Sequence, residues 1–285
     1  MRRRRRKLLF VTGARGFIGR HLVNGPATAK WEIVAPNRTS LDIRHRESTV
    51  EAIVGWRPEA VIHLAYDKSS PRTIIDGSRN VAEGAERAGA RLVHISTDMI
   101  FPGRMAPYVE DSPTRPVTDY GRQKLAAEEL VMETASDAVM IRASLVVGTD
   151  HLAPIQDDVR RALLTGSEHR HMAFFTDEVR CPAHAEDLAA GIVKVATMHG
   201  VTGPLNIAGP EAVSRFELAQ ITARYLHLDE GRLVATTHEA EGVIRPGRIE
   251  LDSSLATSLG IECRPVSEAL TRVAPTFTRR TSSHL

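Results

Sequence analysis

Thr12-Gly13-Ala14-Arg15-Gly16-Phe17-Ile18-Gly19 decides the fold of this chain. The run before it, Lys7–Thr12, is short, apolar and strand-like. Gly16–Asn24 after it has helical spacing, with Phe17, Ile18, Leu22 and Val23 on or near one face. A glycine pattern gains meaning when a strand precedes it and a helix follows. Gly13 permits the tight turn. Gly16 lets the backbone approach a pyrophosphate, which sits on the positive helix end, and Gly19 lets the helix pack closely on the sheet. A plain strand-to-helix turn is the alternative; the flanking elements favour a dinucleotide.

The same rhythm continues outward. Glu32–Pro36, Ala60–Leu64, Arg91–Ser96 and Ala138–Arg142 read as strands. Glu47–Gly55, closed by Gly55 and the nearby Pro58, Thr73–Gly89 and Asp119–Ala135 read as the intervening helices. The strands are continuous apolar runs rather than alternating ones, as a parallel sheet covered on both faces requires. The fold class is therefore α/β, a doubly wound parallel (Rossmann) sheet. Residues 1–149 are expected to form the NAD(P)-binding domain. Residues 150–285 are expected to form a smaller, mainly substrate-binding lobe, with some elements returning to the Rossmann core. Within it, helices are expected in His151–Ser167, Glu186–His199, Ser214–Leu226 and Ser267–Val273, and strands at Met172–Thr176 and Pro204–Ala208. The tail Arg279–Leu285 reads as loose.

The composition narrows the function classes. A chain of 285 residues with 42% hydrophobic and 25% charged residues is an ordinary globule, large enough to bury a sizeable core. No apolar run reaches the ~18–20 residues that cross a bilayer. Six of the 37 basic residues lie in Arg2–Lys7; without them the balance is 31 against 35 acidic residues, a body of −4. That excludes a distributed basic surface for nucleic acid. The apolar stretch after the arginines is too short for a signal peptide, so the expectation is a cytoplasmic protein with a frayed, solvated start. Cys181 and Cys263 read as buried thiols. His169 and His171 beside Glu168 could bind a metal, but a polar His-x-His is more often solvated, and no metal is expected. Asp157-Asp158 and Glu128-Glu129 read as solvated helix faces.

Cofactor choice is read at the end of the second strand. An acid there usually holds the ribose 2′-hydroxyl of NAD. Here the run is Ala35-Pro36-Asn37-Arg38, and Arg15 and Arg38 together could clasp a 2′-phosphate. NADP(H) is therefore preferred, with NAD(H) as the alternative. Tyr120-Gly121-Arg122-Gln123-Lys124 places a phenol and an ammonium on one helical face. The ammonium is expected to pull the phenol down from ~10 by two to three units, towards working pH, as a general acid. Ser96-Thr97-Asp98 ends the fourth strand, where ligands meet an open α/β sheet, and Thr97 can donate to a substrate carbonyl.

TGARGFIG at 12–19, HLAY at 63–66, STDMIFPG at 96–103 and YGRQK at 120–124, in this order, resemble the extended short-chain dehydrogenase/reductase superfamily. Within it the chain is most similar to the dTDP-4-dehydrorhamnose reductase-like, sugar-nucleotide-binding group. Arg142-Ala143-Ser144, Cys181-Pro182 with Glu186-Asp187-Leu188, Asn206–Pro210, and Arg245-Pro246 with Leu251–Ser254 extend the likeness to nearly the whole chain. The resemblance implies that Gly13, Gly16 and Gly19, with Arg15, Phe17 and Ile18 in the same loop, hold the pyrophosphate. It implies that Asp42 and Ile43 contact the adenine, and that Leu64, Ala65, Tyr66 and Ser96 lie along the cofactor. Thr97, Tyr120 and Lys124 become the catalytic set, the tyrosine and lysine also touching the cofactor. The implied reaction is hydride transfer from NADPH to a ketone, C4 of a nucleotide-linked deoxysugar, with Tyr120 protonating the developing alkoxide.

Four positions depart from the group's pattern: Met99 for an aromatic, Leu145 for a Trp, Arg180 for a Gly and Ile74 for an Asn. Asp98, Met99, Leu145 and Arg180 are the expected substrate contacts. Met99 also argues against a dehydratase, whose Glu at that place removes a proton that a thioether cannot. Two rivals stay open: an NADP-binding regulatory or scaffold subunit without turnover, and a nucleotide-sugar epimerase with tightly bound NAD. The expected partner is the small-molecule nucleotide sugar, with no nucleic acid and no membrane; a homodimer is left open.

Overall fold

The structure is a computed structural model that describes residues 7–164 and 172–271. The chain runs through β1 (Lys7–Thr12), α1 (Phe17–Asn24), β2 (Trp31–Val34), α2 (Arg46–Trp56), β3 (Ala60–His63), α3 (Pro71–Ala88), β4 (Arg91–Thr97), α4 (Asp119–Thr134) and β5 (Ala138–Ala143). It continues through β6 (Val146–Val147), α5 (Pro154–Leu164), β7 (Ala173–Phe175), β8 (Val179–Arg180), β9 (Ala183–His184), α6 (Ala185–Val195) and β10 (Gly203–Ile207). The last elements are β11 (Val213–Ser214), α7 (Arg215–Tyr225), β12 (Val234–Thr236), α8 (His238–Glu241), α9 (Ser254–Ser258) and α10 (Val266–Ala269).

Six strands form one parallel sheet in the order β10-β5-β4-β3-β1-β2. Both faces are dry. Leu9, Val11, Ile62, Val93 and Ile141 meet Leu22 of α1 and Leu188 and Ile192 of α6 on one side. Phe10, Val61, Leu92 and Met140 meet Ile53, Val81, Ala85 and Val131 on the other. This double burial is why the strands read as unbroken apolar runs. Because β1 pairs with both β2 and β3, a crevice opens beyond their carboxyl ends, where connections leave in opposite directions.

Two helix starts position the site. Ser70 caps α3, its hydroxyl accepting from the Thr73 amide at 3.3 Å, with Pro71 as the first helical residue. Thr118 caps α4, accepting from the Gly121 amide at 3.1 Å. Gly121 lies so close to β4 that a Cβ there would overlap the Met99 carbonyl. That approach sets the first turn of α4, with Tyr120 and Lys124, against the end of β4.

A second core under α5 and α7 holds Val159, Leu163, Phe174, Leu218 and Val266. The later part of the chain returns to the sheet through β10. It pairs with β5 from Gly203↔Val139 to Ile207↔Ala143, which buries Leu205 beside Ile141.

Several local expectations shift. Gly55 lies inside α2; the helix ends at Arg57 in the left-handed region, φ 49°, because Pro58 disfavours a right-handed residue before it. The helix expected to reach His199 stops at Val195, and the last helix covers only Val266–Ala269. Cys181 is buried but Cys263 only partly so. Glu128 is not on a solvated face. It is fully buried and accepts from Arg142 Nη2 at 2.9 Å and Nε at 3.2 Å, so the charge is neutralised rather than hydrated. Asp157 and Asp158 form surface pairs with Arg160 and Arg161. The His169–His171 pair and the tail Arg279–Leu285 lie outside the described residues.

Candidate active site

The turn after β1 approaches the loop after β3 very closely. Gly13 has φ +73°, and a Cβ on it would stand 2.5 Å from the Ala65 nitrogen and 2.6 Å from the Leu64 carbonyl carbon. Only glycine fits that contact and that dihedral. At Gly16 a Cβ would meet nothing nearer than the Gly13 oxygen at 3.2 Å, and no side chain caps α1 there. The amides of the first turn of α1 are therefore free to receive an anion. Gly19 plays a different part from the one expected. A Cβ on it would overlap the Gly13 carbonyl and the Ala14 backbone, so it closes the helix onto its own loop rather than onto the sheet.

Beside this turn lies a cavity of ≈ 370 Å³ at the β1/β3 crevice, walled by Gly13, Arg15, Gly16, Arg38, Asp42, Ile43, Leu64, Ala65 and Tyr66. The glycine-lined turn, the uncapped helix end and a cavity of this size fit a dinucleotide. Phe17 and Ile18 face away from it: Phe17 packs on the core under α5 and α7, and Ile18 on the sheet core beneath α1. Asp42 is tied to Arg44, whose Nε donates at 2.9 Å, and that bond holds the carboxyl down at about 2. Arg38 donates to Asp67 at 3.3 Å, so in this structure it is partnered by a carboxylate rather than standing open beside Arg15.

The wall behind Ala65 is a buried hydrogen-bond chain. The Thr12 hydroxyl sits 2.6 Å from His63 Nδ1, and His63 Nε2 is 3.1 Å from the Ser78 hydroxyl, which donates to the Ile74 carbonyl at 2.6 Å. Ser78 has spent its proton on Ile74, so His63 carries its hydrogen on Nε2. Burial pushes the His63 imidazole down to about 3, with the Lys124 cation adding to the effect. His94, its neighbour across β3 and β4 at a ring separation of 5.1 Å, is lowered in the same way.

Tyr66 leads from the cavity to the reactive groups, its ring 6.3 Å from that of Tyr120. The Lys68 ammonium lies 5.2 Å from the Tyr120 ring. Burial pushes the Tyr120 phenol well above its usual range, reinforced by Tyr66 and Asp98 and opposed by a hydrogen bond with Thr97. This corrects the expectation that a neighbouring ammonium would lower it. The Lys124 ammonium donates to the Ile95 carbonyl instead, and burial brings Lys124 down to about 8 despite the opposing charge of Glu128. The phenol is thus held protonated, as a proton donor must be. Thr97 accepts from the Met99 amide at 3.3 Å and donates to Asp98 at 3.3 Å; Ser144 donates to the other Asp98 oxygen at 2.8 Å. Thr97 must therefore turn from Asp98 to reach a substrate oxygen. The Ser96 hydroxyl is buried without a partner among the described residues.

Three of the expected substrate contacts, Asp98, Met99 and Arg180, stand together. Met99 lies in the short turn after β4, in contact with Arg180 through its sulfur at 3.7 Å. Arg180 is buried and donates to the carbonyls of Val179, Pro246 and Gly247, with its Nε 3.6 Å from Asp98. It braces the Pro246–Gly247 segment against β4 and does not face the cavity. Leu145 packs on the second core. Sequence reasoning missed Asp67, Lys68 and the His63–Ser78 chain. Asp67 had one signal: a carboxylate two residues past Ala65, at the carboxyl end of a strand beside the crevice.

The RmlD substrate binding domain matches residues 6–279 of the chain. The chain belongs to this family. A probable dTDP-4,6-dihydroxy-2-methyloxan-3-one 4-ketoreductase of Streptomyces antibioticus is 30% identical over 244 residues, 81% of each chain. The methionine adenosyltransferase 2 subunit beta of Rattus norvegicus is 24% identical over 277 residues, 89% of this chain and 82% of that one. Among solved structures, a dTDP-4-dehydrorhamnose reductase from Bacillus anthracis in complex with NADP superposes with a TM-score of 0.82 at 24% identity, covering 94% of this chain and 97% of that one. The six-stranded parallel sheet is therefore the fold of this family. No helix of the described residues is long and apolar enough to cross a membrane.

Proposed function

We propose that this family member reduces a keto group, C4, on a nucleotide-linked deoxysugar with NADPH, in the cytoplasm. The observation that carries the reading is spatial: the glycine-walled cavity reaches Tyr66, whose ring stands 6.3 Å from that of Tyr120, a half-buried, protonated phenol beside Thr97. Its 30%-identical relative is named a 4-ketoreductase of a dTDP-linked sugar. Gly13, Arg15 and Gly16 hold the pyrophosphate, and Asp42 and Ile43 flank the adenine. NADPH supplies the hydride. Tyr120 donates its proton to the oxygen of the reduced carbonyl, Thr97 polarises that oxygen by a hydrogen bond, and Lys124, brought down to about 8 by burial, completes the catalytic set one turn further along α4. Residues 150–285 form mainly the substrate-binding lobe, with some elements returning to the Rossmann core, and with no nucleic acid or membrane as partner.

NADPH oxidation measured against a panel of dTDP-4-keto-6-deoxyhexoses tests this. Turnover of at least one member is expected. Tight NADPH binding with no turnover across the panel overturns it. That result selects the second reading, a dinucleotide-binding subunit, which the relationship to the rat adenosyltransferase subunit favours.

A further inference from the structure

The end of β2 carries no acid, yet a carboxylate does stand in the cavity wall. Asp67, in the loop after β3, lines the cavity together with Arg15 and Arg38. Its Oδ1 accepts from the Ser69 amide at 3.0 Å and from the Ser69 hydroxyl at 2.6 Å, and the Ser70 amide closes the turn on the Asp67 carbonyl at 3.0 Å. Those bonds fix the carboxylate and leave Oδ2 to Arg38. Arg38 is the looser partner, its side chain 60% exposed. Arg15 forms no ion pair among the described residues.

We propose that Asp67 supplies, from across the crevice, the acid missing from the end of β2: it accepts from the ribose 2′-hydroxyl of NAD(H), while Arg38 is the movable counter-charge that leaves Asp67 for the 2′-phosphate of NADP(H). This rests on the dinucleotide reading of the same cavity. A fixed carboxylate rewards a hydroxyl donor and repels a phosphate; a mobile guanidinium does the reverse. Set against each other in one wall, they soften cofactor choice, and the pocket takes both nucleotides with NADP(H) ahead. Asp67 is therefore a specificity-determining residue.

Equilibrium titrations of NADPH and NADH against the unmodified protein, Asp67→Asn and Arg38→Gln test the assignment without any turnover. The unmodified protein is expected to bind both within about tenfold, on the scale of one charge-assisted hydrogen bond. Asp67→Asn should tighten NADPH and loosen NADH, moving their ratio about tenfold towards NADPH; Arg38→Gln, an exposed change, should move it about tenfold the other way. Asp67→Asn that shifts both nucleotides by one common factor, or neither, overturns the proposal while leaving the dinucleotide reading standing. An unmodified protein that binds neither nucleotide overturns both.

Discussion

Glu128→Gln removes the charge from a carboxylate that no solvent reaches. Glu128 is 0% and Arg142 5% exposed, and three contacts of 2.9–3.3 Å join them. Arg142 would keep the Glu110 carbonyl at 2.7 Å, the Phe101 ring at 5.4 Å and one acceptor, the Gln amide oxygen, but its charge would be buried and uncompensated. Breaking one side of such a pair costs about 3–5 kcal/mol. At about 2–4 °C per kcal/mol for a chain of this size, Tm should fall by on the order of 10 °C. Lys124, one turn earlier on α4, loses the carboxylate that opposes its desolvation, so its titration should move further down. Urea unfolding of Glu128→Leu, Arg142→Met and Glu128→Leu/Arg142→Met gives the coupling. The double variant should recover most of the loss, because the buried charge goes with its partner; the unpaired Glu110 carbonyl retains about 1 kcal/mol of the cost. A Glu128→Gln protein within about 1 kcal/mol of the unmodified one refutes the burial of this pair.

Lys124 titrates near 8 in the folded chain and near 10.5 unfolded, so the unfolded state binds more protons between those values and stability rises with pH there. Lys124→Met should lose that rise, and the difference between the two proteins should change by about 1 kcal/mol per pH unit above 8; parallel pH curves would contradict it. His63, pushed down to about 3 from 6.5, makes the unfolded state the stronger proton binder below pH 6.5. Its share of stability should fall by about 2 kcal/mol between pH 6.5 and 5, and His63→Gln should remove that share from urea curves. Gly13→Ala meets the Ala65 nitrogen at 2.5 Å and carries about 1–2 kcal/mol of left-handed strain. It should weaken NADPH binding at least tenfold in a fluorescence titration, whereas unchanged affinity would remove Gly13 from the cradle.

The parallel sheet was legible because each strand is buried on both faces, which writes itself as an apolar run. The crevice was legible because glycine is forced where Gly13 meets Leu64 and Ala65. What escaped was long-range pairing. Glu128 beside Glu129 looks like a wet helix face until β5 brings Arg142 beneath it. Nothing around Arg180 in the sequence announces the Pro246 and Gly247 carbonyls to which it donates. Helical spacing alone has the Tyr120 phenol feel Lys124 four residues on; instead the lysine reaches the Ile95 carbonyl, and desolvation governs both groups. Charge spacing along one helix sets which side chains are neighbours, but not which neighbour on another strand takes the hydrogen bond.

The most direct measurement follows a label. NADPH deuterated at the transferable position of the nicotinamide is incubated with a dTDP-4-keto-6-deoxyhexose and the unmodified protein or Tyr120→Phe, and the product is read by mass spectrometry and NMR. Deuterium should appear on C4 of the sugar with the unmodified protein. With Tyr120→Phe it should appear at least about a hundredfold more slowly while NADPH affinity holds, since only proton donation is lost. Label transfer at an undiminished rate in Tyr120→Phe contradicts the role given to the phenol, and no label on C4 with a protein saturated in NADPH contradicts the reductase itself.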